Sequence, residues 1–184
     1  RRVALAPANV AVLKKAGVNV VIQSGAGTPA GYPDDEYAAA GAELIDDRNQ
    51  IFKRAEIILQ VRTAGANSEA DDGKFLRAGQ TLIGMCDPLL GAGVMQSLAD
   101  RGVTSFALEL LPRITRAQSM DVLSSQASIA GYKAVLTAAA QLPKMCPMMM
   151  TAAGTIAPAR FFVLGAGVAG LQAIATAKRL GAVV

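Results

Sequence analysis

Histidine and tryptophan are absent from this 184-residue sequence, and cysteine occurs only at Cys86 and Cys146. Two cysteines without a histidine make neither a disulfide framework nor a zinc site, so no metal is expected. The missing imidazole also removes the commonest general base and every Ser-His or Cys-His nucleophile pair. Chemistry in this chain therefore rests on carboxylates, lysines or a bound cofactor. Aromatic residues make up only 4% and charged residues 17%. The net charge of +4 is scattered, with pairs such as Lys14-Lys15, Lys53-Arg54 and Lys178-Arg179. A nucleic-acid surface asks for a basic stripe interleaved with stacking aromatics. Nucleic acid is set aside as a partner.

Mean hydropathy of +0.36 raises the question of a membrane span. The apolar run between Arg160 and Lys178 is shorter than the ~20 residues a spanning helix needs. It is also interrupted by Gly165, Gly167, Gly170 and Gln172. A glycine-rich turn between strand and helix accounts for it better. No initiating methionine or signal-peptide pattern is present, and the chain stops inside the apolar run Ala182-Val183-Val184. It reads as a fragment.

What is present is a chain with 52% hydrophobic residues, which excludes disorder. Ala8 to Ala16 has helical spacing and stops at Gly17, a C-terminal glycine. Val18 to Ile22 is a β-branched run, hence a strand, followed by a Ser24 to Gly27 loop. Asp34 is expected to cap a short helix to Ala40, and Asp46 or Asp47 a second through Ala55. Glu56 to Val61, Gln80 to Met85 and Thr104 to Leu110 read as buried strands, with a helix from Leu89 to Asp100. Strands alternating with helices imply a parallel sheet covered on both faces.

After Pro112 one long helix is expected from Ala117 to Gln141, its packing stripe formed by Met120, Leu123, Ala127, Ala130, Ala134 and Ala138. Gly131 inside it costs roughly 1 kcal/mol against Ala, so a packing reason is expected. Met145 to Ala159 reads as a linker, its Met148-Met149-Met150 run as core filler. Arg160 to Gly165 is then a strand and Val168 to Leu180 a helix, closed by Gly181.

Phe161 to Leu164 runs directly into Gly165-Ala166-Gly167-Val168-Ala169-Gly170. This GxGxxG pattern stands between a strand and a helix, where its mechanics require it. Gly165 permits the tight turn, Gly167 lets the backbone approach a pyrophosphate, and Gly170 allows close packing. Free N–H groups at the helix start then bind phosphate. The plain alternative is a glycine-rich helix start. The acid expected on the ribose lies ~20 residues beyond the glycines, so these residues do not separate NAD from NADP.

A second candidate is the loop Arg113-Ile114-Thr115-Arg116-Ala117-Gln118-Ser119-Met120-Asp121, after the strand that starts at Thr104. Ligands sit at that edge of open α/β sheets. Arg113 can pair with a phosphate or carboxylate, Gln118 can donate and accept, and Asp121 can accept from a ribose. The competing reading is an ordinary helix start, with Thr115 or Ser119 as cap and Asp121 in the first turn. Spacing alone does not choose between them.

The stretch from Pro112 through Ala134 resembles the signature loop and helix of domain I of the proton-translocating NAD(P) transhydrogenases. Pro147 to Thr155 and Val163 to Val184 are similar to the same family. Arg2 to Pro7, Ser24 to Gly27 and Ala30-Gly31-Tyr32 fit as well, but are shared with the alanine dehydrogenases. The resemblance implies two Rossmann-like parallel-sheet subdomains joined by a long helix, the second truncated. The expected division is residues 1–116, a connecting helix over 117–142, and the start of an NAD-binding subdomain over 143–184.

The resemblance also implies NAD(H) as cofactor, with hydride passed to NADP(H) on a partner domain and coupled to proton translocation through a membrane domain. A homodimer at the cytoplasmic face of a bacterial inner membrane follows from the same family. By the same carry-over Arg113, Gln118, Ser119, Met120 and Asp121 line the nicotinamide side, with Gln118 at the reacting end. Ser124 and Tyr132 support that site, and Gly165, Ala166, Gly167, Val168 and Gly170 form the pyrophosphate turn. Direct hydride transfer between nicotinamides moves no proton at the reacting carbons, which suits a chain without histidine. The alternatives are an alanine dehydrogenase-like enzyme and a non-catalytic dinucleotide-binding redox sensor. The first resembles a pattern with a catalytic Lys and His. Here Arg62 stands at the Lys position and Met85-Cys86-Asp87-Pro88 offers no His. Thr63 to Asp72 and Asp87 to Gly93 depart from the transhydrogenase pattern and read as loop variation.

Overall fold

The computed structural model describes residues 1–67 and 69–184; residue 68, inside the Thr63 to Asp72 stretch, lies outside them. The chain forms two compact units, Arg1–Pro112 and Arg113–Val184. In the first unit helix α1 (Pro7–Lys15) ends at Gly17, whose φ of +82° is the left-handed conformation that glycine tolerates. Strand β1 (Val21–Gln23) pairs in parallel with β2 (Glu43–Ile45), and helix α2 (Asp34–Ala39) lies between them in the chain. The strand is thus displaced from the expected Val18–Ile22, because Val18 bonds back to the Leu13 carbonyl in the turn after α1. Asp34 is the first residue of α2 and not its cap. Its carboxylate accepts instead from the Gly25 amide at 2.9 Å, closing the loop. Asp47 does cap α3 (Arg48–Arg54), accepting from the Asn49 amide.

Strands β3 (Ile57–Arg62), β4 (Thr81–Met85) and β5 (Thr104–Ala107) form a parallel sheet in that order. Helix α4 (Ala92–Asp100) connects the last two. It starts three residues later than expected, and β5 gives way at Leu108 to a 3-10 turn through Leu110. Phe52, Ile58, Leu76, Leu82, Leu98 and Val103 pack as the core under one face. The other face departs from the expected two-sided burial, for Ile57, Leu59 and Phe106 stand exposed on it.

A buried carboxylate holds this unit together. Arg48 on α3 donates to both oxygens of Asp72 and, at 2.7 Å, to Gln23 Oε1; Gln60 on β3 adds a bond to Asp72 Oδ2. The Arg48 hydrogen bonds hold the Asp72 carboxyl below its ordinary value of 3.8. A lowered carboxyl contributes stability fully above its unfolded pKa and loses it as pH falls through the folded one. Asp72→Asn should therefore lower stability at neutral pH by about 2 kcal/mol, moderated because the Arg48 partner is partly solvated. The gap to the native protein should close as pH falls below about 4. Urea midpoints across pH test this, and a pH-independent gap would refute it.

In the second unit a 3-10 segment, Thr115–Met120, precedes helix α5 (Val122–Gln141). The expected start at Ala117 is thus five residues early. Helix α6 (Val168–Arg179) packs on α5. Val135, Ala173 and Ala177 are the buried centre of that contact, flanked by Phe161, Val163 and Leu180. The packing stripe of α5 runs through Gly131 and Val135. The expected stripe lies one position aside, and its Ala130, Ala134 and Ala138 are exposed. The expected linker contains an antiparallel hairpin of β6 (Met149–Thr151) and β7 (Gly154–Ile156). Its methionines are surface residues, Met150 at 82% exposure, and do not fill a core. The expected strand from Arg160 to Gly165 is reduced to an isolated parallel bridge between Arg160 and Val183, with Phe161 N–H donating to Val183 O at 2.8 Å, because among the described residues only the short stretch at Val183 is there to pair with it. Among the described residues no helix is long and apolar enough to cross a membrane.

Candidate functional site

The glycine turn before α6 has three glycines with three different reasons. Gly165 has φ +104°, so a side chain there would strain the turn. Gly170 is held close to that turn: a Cβ on it would lie 2.1 Å from the Gly165 carbonyl oxygen. Gly167, the N-cap of α6, has φ −74° and ψ −175°, which any residue adopts. A Cβ on Gly167 would meet nothing within 4 Å. Neither backbone conformation nor packing among the described residues calls for glycine at 167.

Among the described residues no side chain caps α6, and its first returned amide is Leu171, to the Gly167 carbonyl at 2.8 Å. Helix geometry thus leaves the N–H groups of Val168, Ala169 and Gly170 without an intrahelical acceptor. Open space beside Gly167 and unspent donors at the positive helix end fit a pyrophosphate. Lys178 and Arg179 in the last turn complement the other end of the dipole.

The loop that enters α5 resolves the question of its cap. Asp121 is the N-cap, not Thr115 or Ser119. Its Oδ1 accepts from the Ser124 amide at 2.9 Å and its Oδ2 from the Ser124 hydroxyl at 2.7 Å. These bonds, with the Arg113 charge as a lesser contribution, hold the Asp121 carboxyl below its ordinary value. It is therefore ionised at neutral pH and keeps lone pairs for a further donor. Ala117 is buried and anchors the 3-10 turn, which leaves Arg113, Gln118, Ser119 and Met120 exposed. Gln118 makes no side-chain hydrogen bond among the described residues, so its amide can both donate and accept.

The structure thus brings Asp121 and Ser124 into one hydrogen-bonded pair and gathers Gly165, Gly167 and Gly170 into one turn. Tyr132 is half exposed on α5, beside Gly131 in the chain. Among the described residues no hydrogen bond joins the loop to the turn. They are related through the helices: Gly131 of α5 meets the backbone of Ala169 in the first turn of α6. Ten residues of helix separate Asp121 from that crossing, about 15 Å along the axis.

In the first unit the sequence reading missed Glu109. Its Oε1 accepts from the amides of Cys86, at 2.7 Å, and of Asp87. Its Oε2 is buried with no partner among the described residues. Asp87 has φ +49°, a left-handed conformation rare outside glycine. Burial, reinforced by the Glu109 charge, pushes the Cys86 thiol up, which makes it a poor nucleophile. The available signal was a single acid inside the apolar run Phe106 to Leu111.

Family models for alanine dehydrogenase/PNT match nearly the whole chain, the N-terminal domain over residues 1–130 and the C-terminal domain over 134–184. The chain belongs to the alanine dehydrogenase/PNT family. It is 46% identical over 184 residues to an NAD(P) transhydrogenase alpha-subunit polypeptide of Rhodospirillum rubrum, covering 100% of this chain and 48% of that protein. The crystal structure of transhydrogenase from Sinorhizobium meliloti superposes with a TM-score of 0.91 at 50% identity, over 98% of this chain and 51% of that one. An L-alanine dehydrogenase structure gives 0.81 at 25% identity, over 98% and 49%. The chain spans about half the length of the relatives it matches. Within the alanine dehydrogenase/PNT family it is thus more similar to these transhydrogenases than to that alanine dehydrogenase, and it shares their parallel α/β fold.

Proposed function

We propose that this chain is the NAD(H)-binding region of a proton-translocating transhydrogenase, passing hydride from NADH to NADP+ held on a partner domain. The observation that carries the reading is Gly167, whose missing side chain nothing among the described residues requires. It opens the backbone to a ligand at three unspent amides. The division into residues 1–116, a connecting helix over 117–142 and an NAD-binding region over 143–184 belongs to the same proposal.

When bound, NADH supplies the hydride. The amides of Val168, Ala169 and Gly170 hold its pyrophosphate. Asp121, kept ionised by Ser124 and Arg113, accepts from a ribose hydroxyl. Arg113, Gln118, Ser119 and Met120 line the nicotinamide end, where the Gln118 amide orients the ring and its neighbour, and Tyr132 closes the side of the site. No residue exchanges a proton with the reacting carbons. Alignment and the exclusion of water therefore carry the rate.

The partners proposed are an NADP(H)-binding domain, a membrane domain that couples transfer to proton movement, and a second copy of this domain. The exposed Met149–Ile156 hairpin is the apolar feature that supports such a copy. A place at the cytoplasmic face of a bacterial inner membrane belongs to the same proposal.

An amino-acid dehydrogenase handles an amine, an imine and water, and needs a titrating base. Arg62 stands where that base is expected, and arginine is a poor general base; the Met85 to Pro88 stretch has no histidine. The intact protein is expected to oxidise no alanine with NAD+, and to transfer hydride from NADH when mixed with an NADP+-loaded partner domain. Measurable alanine oxidation would reverse the reading. NADH binding with neither reaction would leave a dinucleotide sensor.

A further inference from the structure

The absence of a side chain at Gly131 does two things at once. It lets α5 and α6 approach, and it sets where the first turn of α6 stands. An ideal Cβ on Gly131 would lie 2.1 Å from the Ala169 carbonyl oxygen, 3.0 Å from its carbonyl carbon and 3.1 Å from its Cα. All three atoms are backbone, so no rotamer change relieves the overlap.

The Ala169 carbonyl belongs to the same planar peptide unit as the Gly170 N–H. That N–H is one of the three donors left free at the start of α6. The oxygen end of the unit rests on α5 at Gly131. Its far side is fixed as well, because Gly170 sits against the Gly165 carbonyl with room for no Cβ. The Ala169–Gly170 peptide is thus gripped between α5 and the glycine turn.

We infer that Gly131 is a positioning residue for the dinucleotide site: its contact with Ala169 aims the first-turn amides of α6 at the pyrophosphate. This rests on the dinucleotide reading of the turn and extends it to a residue that touches no ligand. It also links α5, which carries Asp121 and Ser124, to the donors of α6 through one contact. A Cβ at 131 would displace the donor along with the carbonyl.

The test is titration of the intact protein with NADH, ADP and adenosine, for Gly131→Ala, Val135→Ala and Gly167→Val. Val135 is buried in the same helix contact but faces Ala173 and Ala177. Gly131→Ala is expected to weaken NADH and ADP about tenfold, the loss of one charge-assisted hydrogen bond. Adenosine, which lacks phosphate, should bind unchanged. Val135→Ala should lower the melting temperature and leave NADH affinity alone. A Val135→Ala protein that loses NADH as Gly131→Ala does would overturn the inference, because loosening of the interface would then suffice.

Unchanged NADH affinity in Gly131→Ala, with binding lost in Gly167→Val, would overturn it while sparing the dinucleotide reading. Normal NADH binding by Gly167→Val would remove that reading itself. Should Gly131→Ala fail to fold, amide hydrogen exchange of the native protein decides. NADH should then slow exchange in Gly131 to Val135 of α5 as well as in Val168 to Gly170. Protection confined to α6 would refute the inference.

Discussion

Gln118→Asn is expected to slow hydride transfer about 100-fold, the size of effect a misplacement near 1 Å produces when alignment is the main catalytic device. The substitution keeps the amide and withdraws it by one methylene. Gln118 lies in the exposed part of the 3-10 turn Thr115–Met120. Its side chain has no hydrogen-bond partner among the described residues that a shorter residue would abandon, so the fold should be indifferent. The backbone is held independently, through the buried Ala117 and through the Asp121 amide bonded to the Gln118 carbonyl. Affinity for NADH should change little, since the proposed pyrophosphate donors of α6 and the Asp121 carboxylate are untouched. Stopped-flow transfer in the intact enzyme beside NADH titration separates the two quantities. An unchanged rate would reduce the loop to a helix start.

Helix ends were the most legible feature of the sequence, because glycine marks them by a steric rule. Gly17, Gly41 and Gly181 all follow helices with φ near +80 to +90°. The GxGxxG turn was legible for the same reason: Gly165 and Gly170 are each demanded by local geometry. Short elements were not. Glu43–Ile45 has three residues, too few for any period to show, and its partner β1 lies beyond an intervening helix. The Met149–Ile156 hairpin was hidden because methionine carries no strong strand preference and all six strand residues are exposed.

The α5 stripe failed for a related cause. With Ala, Ser and Gly on several faces, apolar spacing cannot say which face is buried, and the choice falls to where α6 arrives. The candidate residues Arg113 to Asp121 could be placed on a loop, but their chemistry could not be derived from spacing. Asp121 looks the same as a first-turn acid or as a cap. Only the paired bonds to Ser124 distinguish them. Glu109 was invisible because its partners are backbone amides 22 and 23 residues away.

Gly167→Val is expected to abolish measurable NADH binding, weakening it at least about 100-fold, while leaving the fold nearly intact. Two or more charge-assisted hydrogen bonds to the pyrophosphate are at stake, each worth about 1.5–3 kcal/mol. The structural cost is small because valine adopts φ −74° and ψ −175° without strain, and a Cβ there meets nothing within 4 Å. What remains is the weaker preference for valine at an N-cap, about 1 kcal/mol. Gly165→Val makes the contrast, since φ +104° would strain the turn whether or not a ligand binds. The first variant should melt close to the native protein and bind no NADH; the second should lose both properties. Calorimetry of each, with and without NADH, reads the two effects side by side. If Gly167→Val binds NADH normally, the space beside Gly167 holds no pyrophosphate, and the helix start is only a helix start.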